Sequence, residues 1–335
     1  MPQETLVEAR GLTKTFRRAD GTEVLAVQGI DLDIHKGEVF SMLGPNGAGK
    51  TTTISMISGL LAPTSGDAKI GGYSITKQPM EAKKLLGVVP QEIALYPMLT
   101  ARQNLEFFGK MYGLGGKELA ASVDEVLDFT DLRDRAKDRV ETFSGGMKRR
   151  VNIGVGLLHK PRLVYMDEPT VGVDPQSRRR ILDTVIRLRE ERNMTVLYTT
   201  HLMEEAQELS NRVGIVDMGK VIALGTVGEL IQQVGEEDRL VLNIGHQELH
   251  NGLLERLQGI EGVTRALYDA PTQLSETNDA IQNGKITIYA KRGRKALPQV
   301  IQLTNEAGLE IVSVEVREPD LEAVFLQLTG RALRD

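Results

Sequence analysis

The stretch "GPNGAGKT", residues 44–51, stands between an apolar run typical of a β-strand and a run typical of a helix. It matches the pattern G-x-x-x-x-G-K-[ST], which in this context predicts a phosphate-binding loop. Glycines allow the loop to turn its backbone N–H groups toward phosphate oxygens, and the start of the following helix adds roughly half a positive charge. We therefore expect Lys50 to contact the β- and γ-phosphates of a nucleotide, and the Thr51 hydroxyl to bind Mg²⁺.

A second motif, "LVYMDE" at residues 163–168, has the apolar residues of a buried parallel strand and ends in Asp167 and Glu168. A nucleotide-phosphate site needs an acidic group on its metal side. We therefore expect Asp167 to hold Mg²⁺ and Glu168 to position or polarise an attacking water. Taken alone, the two carboxylates are also compatible with a polar strand end that leads into a turn.

A third motif, "SGG" at residues 144–146, opens an apolar run with helical character. Ser144 is a favourable N-cap, and each glycine in the first turn costs roughly 1 kcal/mol relative to alanine. Helix stability alone does not favour this pair, whereas bare N–H groups at a helix start form a second anion site. Two phosphate sites on one domain predict a dimer in which each subunit closes the nucleotide site of the other. An ordinary serine cap with loop glycines is the alternative.

The composition is that of a globular protein, with 335 residues, 41% hydrophobic and 26% charged, and a formal net charge of −5. This length allows two domains, and the charge gives no indication of a nucleic-acid partner. The chain has no cysteine, which excludes disulfides, cysteine-bound zinc and thiol catalysis. No apolar run approaches the roughly 20 residues that span a bilayer, so we expect any role at a membrane to require a partner chain.

Strand-like and helix-like segments alternate to about residue 235. Within this part, "GIVDMGKVIALG" predicts a hairpin around Met218-Gly219. A polar stretch at 231–239 marks a boundary between domains at 4–235 and 238–330. The second domain has the strand and helix order of a ferredoxin-like fold. Its predicted segments are strand 239–244, helix 247–257, strand 262–268, loop 270–284, strand 285–290, helix 294–307, strand 310–317 and helix 319–329.

Further motifs extend the pattern in a fixed order. Phe16 stands in "LTKTFRR", Gln91 in "VVPQE", Asp174 in "TVGVD" and His201 in "TTHLMEEA". Together with the three motifs above, they resemble those of the ATP-binding cassette (ABC) ATPases over residues 4–235. The segment "FSGGM" departs from the family signature only in its first and last residues, where Leu and Gln are commoner.

The resemblance implies an α/β P-loop NTPase fold. A RecA-like core would carry an antiparallel β subdomain and a helical subdomain around residues 95–160, followed by the small C-terminal α+β domain. It also implies ATP and Mg²⁺ as ligands, and a role for each motif. The residues expected to bind ATP are Phe16, Gly44, Pro45, Asn46, Gly47, Ala48, Gly49, Lys50, Thr51 and Thr52. Those expected to act in catalysis are Glu168, His201, Lys50 and Gln91, and those expected to hold the metal are Thr51, Gln91 and Asp167.

The resemblance also implies roles for the remaining motifs, one of them in a partner subunit. Ser144, Gly145 and Gly146 are expected to reach the ATP of a partner subunit, and Asp174 falls in the D-loop. Phe16 is expected to stack on adenine, although a core or edge-strand aromatic is the alternative. His201 is expected to contact the γ-phosphate, although read alone it is a strand-end histidine.

The segment after Gln91, "EIALYPMLTARQNL", is expected to face the membrane subunit. Leu95, Tyr96, Pro97, Met98 and Leu99 would form an exposed apolar docking patch, with a buried loop as the alternative. The basic run at 148–150 is interpreted as a solvated helix face without a catalytic role.

The segments at 143–178 and "REPDLEAVFLQLTG" near the C-terminus resemble the ATPase subunits of bacterial drug and antibiotic-resistance exporters. This resemblance implies a homodimer, or a heterodimer with a second ATPase, held at the cytoplasmic face of the membrane by a separate spanning subunit. A non-transport ABC ATPase of translation or DNA repair and the ATPase of an importer are the alternatives. No nucleic-acid partner is expected, and the sequence does not identify the transported substrate.

Overall fold

The computed structural model describes residues 4–234, 237–245, 249, 252–273, 281–282, 284–291, 293–317 and 319–330. They form two compact units, a first that ends at Val227 and a second at Gly228–Gln327, and residues 328–330 group with the first. The sequence predicts the boundary later, at 235–238, and residues 235–236 lie outside the described residues. None of the described helices is both long and apolar enough to cross a bilayer.

The first unit alternates strands and helices as the sequence predicts. Its strands are β1 (Thr5–Arg17), β2 (Glu23–His35), β3 (Val39–Leu43), β4 (Ser65–Ile70), β5 (Tyr73–Ser74), β6 (Leu86–Val89), β7 (Leu163–Asp167), β8 (Thr195–Thr200), β9 (Arg212–Asp217) and β10 (Lys220–Gly225). Its helices are α1 (Lys50–Ile57), α2 (Pro79–Lys84), α3 (Ala101–Met111), α4 (Gly116–Phe129), α5 (Gly145–Leu157), α6 (Pro175–Arg192) and α7 (Met203–Leu209).

Two sheets organise this unit. The six-stranded sheet has the order β10-β9-β3-β8-β7-β6, in which the neighbours from β9 to β6 are parallel and β10 is antiparallel. The four-stranded sheet, β2-β1-β4-β5, is antiparallel. Helices α3, α4 and α5 fall in the predicted helical subdomain. The predicted α/β fold of the first unit is therefore confirmed.

The continuous apolar run of β7 explains why it is a central strand. Leu163 and Tyr165 belong to a core cluster with residues of the antiparallel sheet, whereas Val164 and Met166 belong to a cluster with residues of the helices. Side chains alternate between the faces of a strand, so a run buried on both faces must be apolar at every position. The polar Asp167 ends the strand and Glu168 follows it, and both remain buried at the carboxyl end of the sheet.

The parallel register brings several strand ends to one edge of the sheet. Leu43 at the end of β3 pairs with Thr200 at the end of β8, and Asp167 pairs with Thr199. The loop after β3, the carboxylates after β7 and the turn after β8 therefore lie side by side. The predicted hairpin is also confirmed, since β9 and β10 are antiparallel and Met218 and Gly219 both have positive φ, 47° and 75°.

The second unit has strands and helices in the predicted order. They are α8 (Val227–Val234), β11 (Glu237–Asn243), α9 (Leu253–Gln258), β12 (Val263–Asp269), β13 (Thr272–Gln273), β14 (Ile281–Gln282), β15 (Lys285–Lys291), α10 (Gly293–Glu306), β16 (Ser313–Arg317) and α11 (Leu321–Thr329). The antiparallel sheet β12-β15-β11-β16 places its first strand between the third and the fourth. This order is the split βαβ arrangement of a ferredoxin-like domain.

Three segments differ most from the predicted bounds. Helix α9 starts only after Gly252, which has φ 90°, and the predicted helical residues 247–248 and 250–251 lie outside the described residues. The predicted loop at 270–284 contains the short β13–β14 ladder, and its residues 274–280 and 283 are outside the described residues. The last strand starts at Ser313 rather than 310, because its pairing with β11 begins opposite Asn243.

Candidate active site

The predicted phosphate loop joins the end of β3 to the start of α1. Packing requires glycine at two of its positions. An added Cβ at Gly44 would overlap the carbonyl oxygen of Val216, and one at Gly49, which has φ 100°, would lie 2.7 Å from the carbonyl oxygen of Ala26. The residues that line the open pocket at this loop are Ala26, Pro45, Asn46, Gly47, Ala48, Gly49, Lys50, Thr51, Thr52, Gln91 and Glu168. The structure thus brings Gln91 and Glu168 to the loop.

Lys50 is buried and already bonded to its surroundings. Its Nζ donates to the carbonyl oxygen of Gly44 at 2.6 Å and to that of Pro45 at 3.2 Å, and it lies 3.3 Å from Oε1 of Glu168. Burial lowers the pKa of Lys50, and the charges of Glu168 and Asp167 oppose this change. A phosphate oxygen at the loop would compete with these acceptors for the ammonium group.

Asp167 and Thr51 form the oxygen pair that the sequence predicts for a metal. The Thr51 hydroxyl donates to Oδ1 of Asp167 at 3.4 Å. The same carboxylate oxygen accepts a shorter bond, 2.7 Å, from the hydroxyl of Thr199, which in turn accepts the Glu168 backbone N–H at 2.9 Å. Burial, followed by the charge of Asp167, raises the pKa of the Tyr165 phenol. Tyr165 and Thr199 lie within the motifs "LVYMDE" and "TTHLMEEA", but the sequence alone predicts no role for either, because their partners become evident only in the fold.

Glu168 connects Lys50 to His201. Its Oε2 lies 3.2 Å from Nδ1 of His201, while its Oε1 faces Lys50. The side chain is buried, with 7% of the residue exposed. Its backbone has φ 41°, a left-handed conformation that costs energy for a residue with a Cβ. The fold therefore holds a carboxylate between a cation and an imidazole at the edge of the pocket.

The serine and glycines of the third motif lie where the sequence predicts a helix start. Ser144 is the N-cap of α5, and its hydroxyl accepts the Met147 N–H at 3.2 Å. Gly146 is buried, and an added Cβ there would overlap the side chain of Ser177 in α6, whereas at Gly145 the nearest atom is 3.9 Å away. Packing therefore explains Gly146 and leaves Gly145 unexplained. None of the three residues lines the pocket of its own chain.

The other predicted residues take different positions. Asp174 is the N-cap of α6, and its carboxylate accepts the Ser177 N–H at 2.9 Å. Hydrogen bonding from the Ser177 side chain, followed by that from its backbone N–H, lowers the pKa of Asp174. Phe16 lies on β1, 40% exposed, with Nζ of Lys14 at 5.4 Å from its ring centroid, and it does not line the pocket.

The interpretation of 148–150 as a solvated face is wrong for Arg149 and Arg150. Only 4% of Arg149 and 5% of Arg150 is exposed, and both donate to backbone carbonyl groups. The predicted apolar patch is exposed at Tyr96, Pro97 and Met98 but only partly at Leu95 and Leu99.

Comparisons with known proteins agree with this arrangement. The profile of the family described as "ABC transporter" matches residues 27–171. The linearmycin resistance ATP-binding protein LnrL of Bacillus subtilis (strain 168) is 46% identical over 325 residues, which cover 96% of this chain and 99% of that protein. The daunorubicin resistance ATP-binding protein DrrA3 of Streptomyces coeruleorubidus is 36% identical and covers 91% of each chain.

Solved structures match about two thirds of the chain. A dimeric ATP-binding cassette, MJ0796, in a post-hydrolysis state bound to ADP and Pi, has a TM-score of 0.60 and 28% identity over 66% of this chain and 98% of its own. The cbiO1 protein from Clostridium perfringens, part of the ABC transporter complex cbiONQ, has a TM-score of 0.61 and 27% identity over 69% of this chain and 95% of its own. The chain belongs to the ABC transporter family of ATP-binding proteins, and its enzymatic activity is ATP hydrolysis.

Proposed function

We propose that this chain drives the export of a drug-like, lipid or similar substrate through a separate membrane-spanning subunit. The observation that carries the proposal is the extent of the similarity to the linearmycin and daunorubicin resistance proteins, which reaches at least nine tenths of this chain. That similarity therefore includes the second unit, which a minimal ATPase would not need.

The geometry supports a distinct role for each residue of the pocket. The loop N–H groups and Lys50 would bind the ATP phosphates, and Glu168 would orient the attacking water. His201 would hold the Glu168 carboxylate, from which it lies 3.2 Å. The two oxygens of this carboxylate, 3.3 Å from Nζ of Lys50 and 3.2 Å from Nδ1 of His201, would be held at the pocket by these neighbours.

The residues present also fit Mg²⁺, which prefers oxygen ligands. The Thr51 hydroxyl and the Asp167 carboxylate are 3.4 Å apart beside the loop, and Gln91 lines the same pocket. Bound there, Mg²⁺ would neutralise charge on the phosphates. Thr199 would keep Asp167 oriented toward that position through its 2.7 Å bond.

A single chain would provide only part of each site. Ser144 and Gly145 are exposed at the start of α5, outside the pocket of their own chain. We infer that they contact the γ-phosphate of ATP bound by a second copy, so that a homodimer has two equivalent sites. A heterodimer with a related ATPase would use the same surfaces.

An apolar surface in the helical subdomain supports a membrane partner. Tyr96, Met98, Phe107 and Met111 are exposed, and the rings of Tyr96 and Phe107 meet edge to face at 4.8 Å between centroids. Large exposed apolar side chains that lie together mark interaction sites. We propose that they hold the chain against a membrane subunit, at the cytoplasmic face.

Reconstitution tests this function. The chain should be purified with the hydrophobic protein encoded beside it and placed in vesicles, with a Glu168→Gln chain as the matched control. We expect ATP-dependent efflux of a drug-like substrate with the unaltered chain and none with the control. ATP-dependent uptake would instead identify an importer. Stable ribosome binding without any membrane partner would identify a non-transport ATPase.

A further inference from the structure

Arg149 links two motifs of the same chain. Its Nη1 donates to the carbonyl oxygen of Pro90 at 2.7 Å, and its Nη2 to that of Gln91 at 2.6 Å. Arg149 lies in α5, which begins with the signature residues, while Gln91 follows β6 and lines the pocket. The planar guanidinium therefore holds two consecutive carbonyl groups, a geometry that a single ammonium group does not reproduce.

Close backbone packing supports this connection. An added Cβ at Gly87 of β6 would overlap the carbonyl oxygen of Gly156 in α5, and one at Gly156 would lie 3.1 Å from Cγ2 of Val89. Helix α5 thus rests directly on the backbone of β6, which ends immediately before Pro90. Backbones packed this closely leave little room for one element to shift alone, so a displacement of one is transmitted to the other.

The segment between β6 and α3 is also held at its far end. The side chain of Asn104, fully buried, accepts the Tyr96 N–H at 2.8 Å and donates to the carbonyl oxygen of Tyr96 at 3.0 Å. Arg149 thus holds the start of this segment and Asn104 its end, and the residues between them, at 92–94, are exposed. The backbone position of Gln91 consequently depends on Arg149.

We propose that Arg149 is a positioning residue that couples the two halves of the shared ATP site. It fixes the backbone of Gln91 in the site of its own chain, and it anchors the helix that presents Ser144 and Gly145 to the site of the partner. A displacement of Gln91 is then transmitted to the signature residues. The coupling to the partner rests on the shared site proposed above. The contact of Arg149 with Gln91 does not, because it lies within one chain.

Arg150 provides a matched control on the same helix. It is buried to the same extent, and its Nη1 donates to the carbonyl oxygens of Thr130 at 2.8 Å and Asp131 at 3.1 Å. Burial lowers the pKa of both arginines. Arg149→Met and Arg150→Met therefore remove comparable buried groups, but only the first releases Gln91.

The first test measures hydrolysis at saturating ATP in the full chain. We expect Arg149→Met to lower the rate about tenfold or more relative to Arg150→Met, because small displacements of a site residue are costly. If Arg149 acts through Gln91, its effect should disappear in a Gln91→Ala background, whereas the effect of Arg150→Met should persist there. Additive effects of Arg149→Met and Gln91→Ala would overturn the proposal. Arg149→Lys, which retains the charge and most of the packing, should show the same pattern if Arg149→Met does not fold.

The second test examines the partner's site in mixed dimers. When Arg149→Met chains are mixed with a large excess of Ser144→Arg chains, nearly all of them are in mixed dimers, and the intact Ser144 of the former faces Lys50 and Glu168 of the latter. We expect less hydrolysis than in the same mixture made with Arg150→Met, and equal rates would overturn the coupling. If Ser144→Arg alone hydrolyses ATP at the wild-type rate, the shared site itself is wrong. In that case the first test, which combines Arg149→Met with Gln91→Ala, still decides whether Arg149 acts through Gln91, because it does not depend on a shared site.

Discussion

Glu168 is held in position by contacts of both its side chain and its backbone. Its carboxylate lies between Lys50 and His201, and its backbone adopts a conformation that residues other than glycine rarely adopt. The N–H of this residue is held by the Thr199 hydroxyl, which also donates to Asp167. One buried hydroxyl group therefore orients both acidic residues of the site.

Thr199→Val is a test of this hydroxyl group. Valine has the same shape but leaves the Asp167 carboxylate and the Glu168 N–H without their partner, which costs about 1–3 kcal/mol. We expect the free energy of unfolding in urea to fall by about this amount, and hydrolysis to require more Mg²⁺. Thr199→Ser, which keeps the hydroxyl, should stay close to the unaltered chain in both measurements. A valine variant that matches the serine variant would show that the hydroxyl has no such role.

For single residues, the sequence predicts those site residues that belong to a local motif. The identity and spacing of Lys50, Thr51 and Asp167 follow from local patterns, and the parallel register then brings them together. Thr199 and Arg149 could not be predicted, because their partners are distant in sequence and two of them are backbone carbonyl groups. A basic run is usually solvated, so the burial of Arg149 becomes evident only in the folded chain.

Among the elements, the contact between α5 and α6 assigns different roles to two adjacent glycines. An added Cβ at Gly146 would overlap Ser177, whereas at Gly145 it would meet only ordinary contacts, 3.9 Å from the carbonyl oxygen of Gly172 and 4.0 Å from Cγ1 of Val173. In the sequence the two glycines are equivalent, because both are unfavourable in a helix. Packing distinguishes them, because Gly146 is required by its contact with α6 and the exposed Gly145 is not.

Alanine substitutions should separate these roles. Gly146→Ala forces α5 away from Ser177 and should lower the free energy of unfolding by about 1–3 kcal/mol, with part of the loss recovered by Ser177→Gly. Gly145→Ala should leave stability unchanged or raise it by up to about 1 kcal/mol, yet reduce hydrolysis by covering the proposed contact with the partner's ATP. Urea unfolding and ATP hydrolysis measure the two effects. Full activity in Gly145→Ala would contradict the assignment of this residue.

A buried carboxylate ties α7 to α6 and β8. Glu205, 1% exposed, accepts from Nε of Arg178 at 2.8 Å, the hydroxyl of Tyr198 at 3.0 Å and the hydroxyl of Thr200 at 2.8 Å. Thr200 directly precedes His201. These bonds therefore hold the turn that carries the histidine, a function the sequence motif "TTHLMEEA" does not reveal.

Glu205→Ala should be strongly destabilising. Removing the Glu205 carboxylate leaves the buried hydroxyls of Tyr198 and Thr200 without their acceptor, at a cost of about 1–3 kcal/mol for each such group. The Arg178 side chain, 30% exposed, can be hydrated instead. Its neighbour Glu204 is the matched control, since that side chain is 91% exposed and lies 4.0 Å from Arg178; Glu204→Ala should change stability by no more than about 0.5 kcal/mol. Urea unfolding of the two variants compares them directly. Similar midpoints would contradict a structural role for the buried network.

In the molecule as a whole, the apolar surface at Tyr96 and Met98 should determine attachment to the membrane. Tyr96→Glu and Met98→Glu place charges on exposed positions, so folding and basal hydrolysis should persist while recruitment to vesicles that contain the membrane subunit is lost. The partly buried Leu99 is less suitable, because a charge there would also disturb the core. Lys110→Glu changes charge in the same helix as Phe107 and serves as the control. Recruitment that survives both charged variants would contradict the proposed surface.

The proposed shared site would connect ATP hydrolysis to motion of the two chains. Lys50 and Glu168 of one chain and Ser144 and Gly145 of its partner would contact the same γ-phosphate, so its removal by hydrolysis would remove the contact that keeps the two chains closed. Glu168→Gln retains shape and hydrogen bonding but loses the charge that orients water. We expect this variant to bind ATP and to accumulate as a closed dimer without turnover.

Mixing two inactive variants tests the shared site most directly. Ser144→Arg and Glu168→Gln chains should each fail to hydrolyse ATP when measured alone. In their mixed dimer, one site combines Glu168 of the first chain with Ser144 of the second, both unaltered. We predict that hydrolysis returns on mixing and reaches its maximum near equal amounts of the two chains. Wild-type hydrolysis by Ser144→Arg alone at every protein concentration would contradict a site built from two chains.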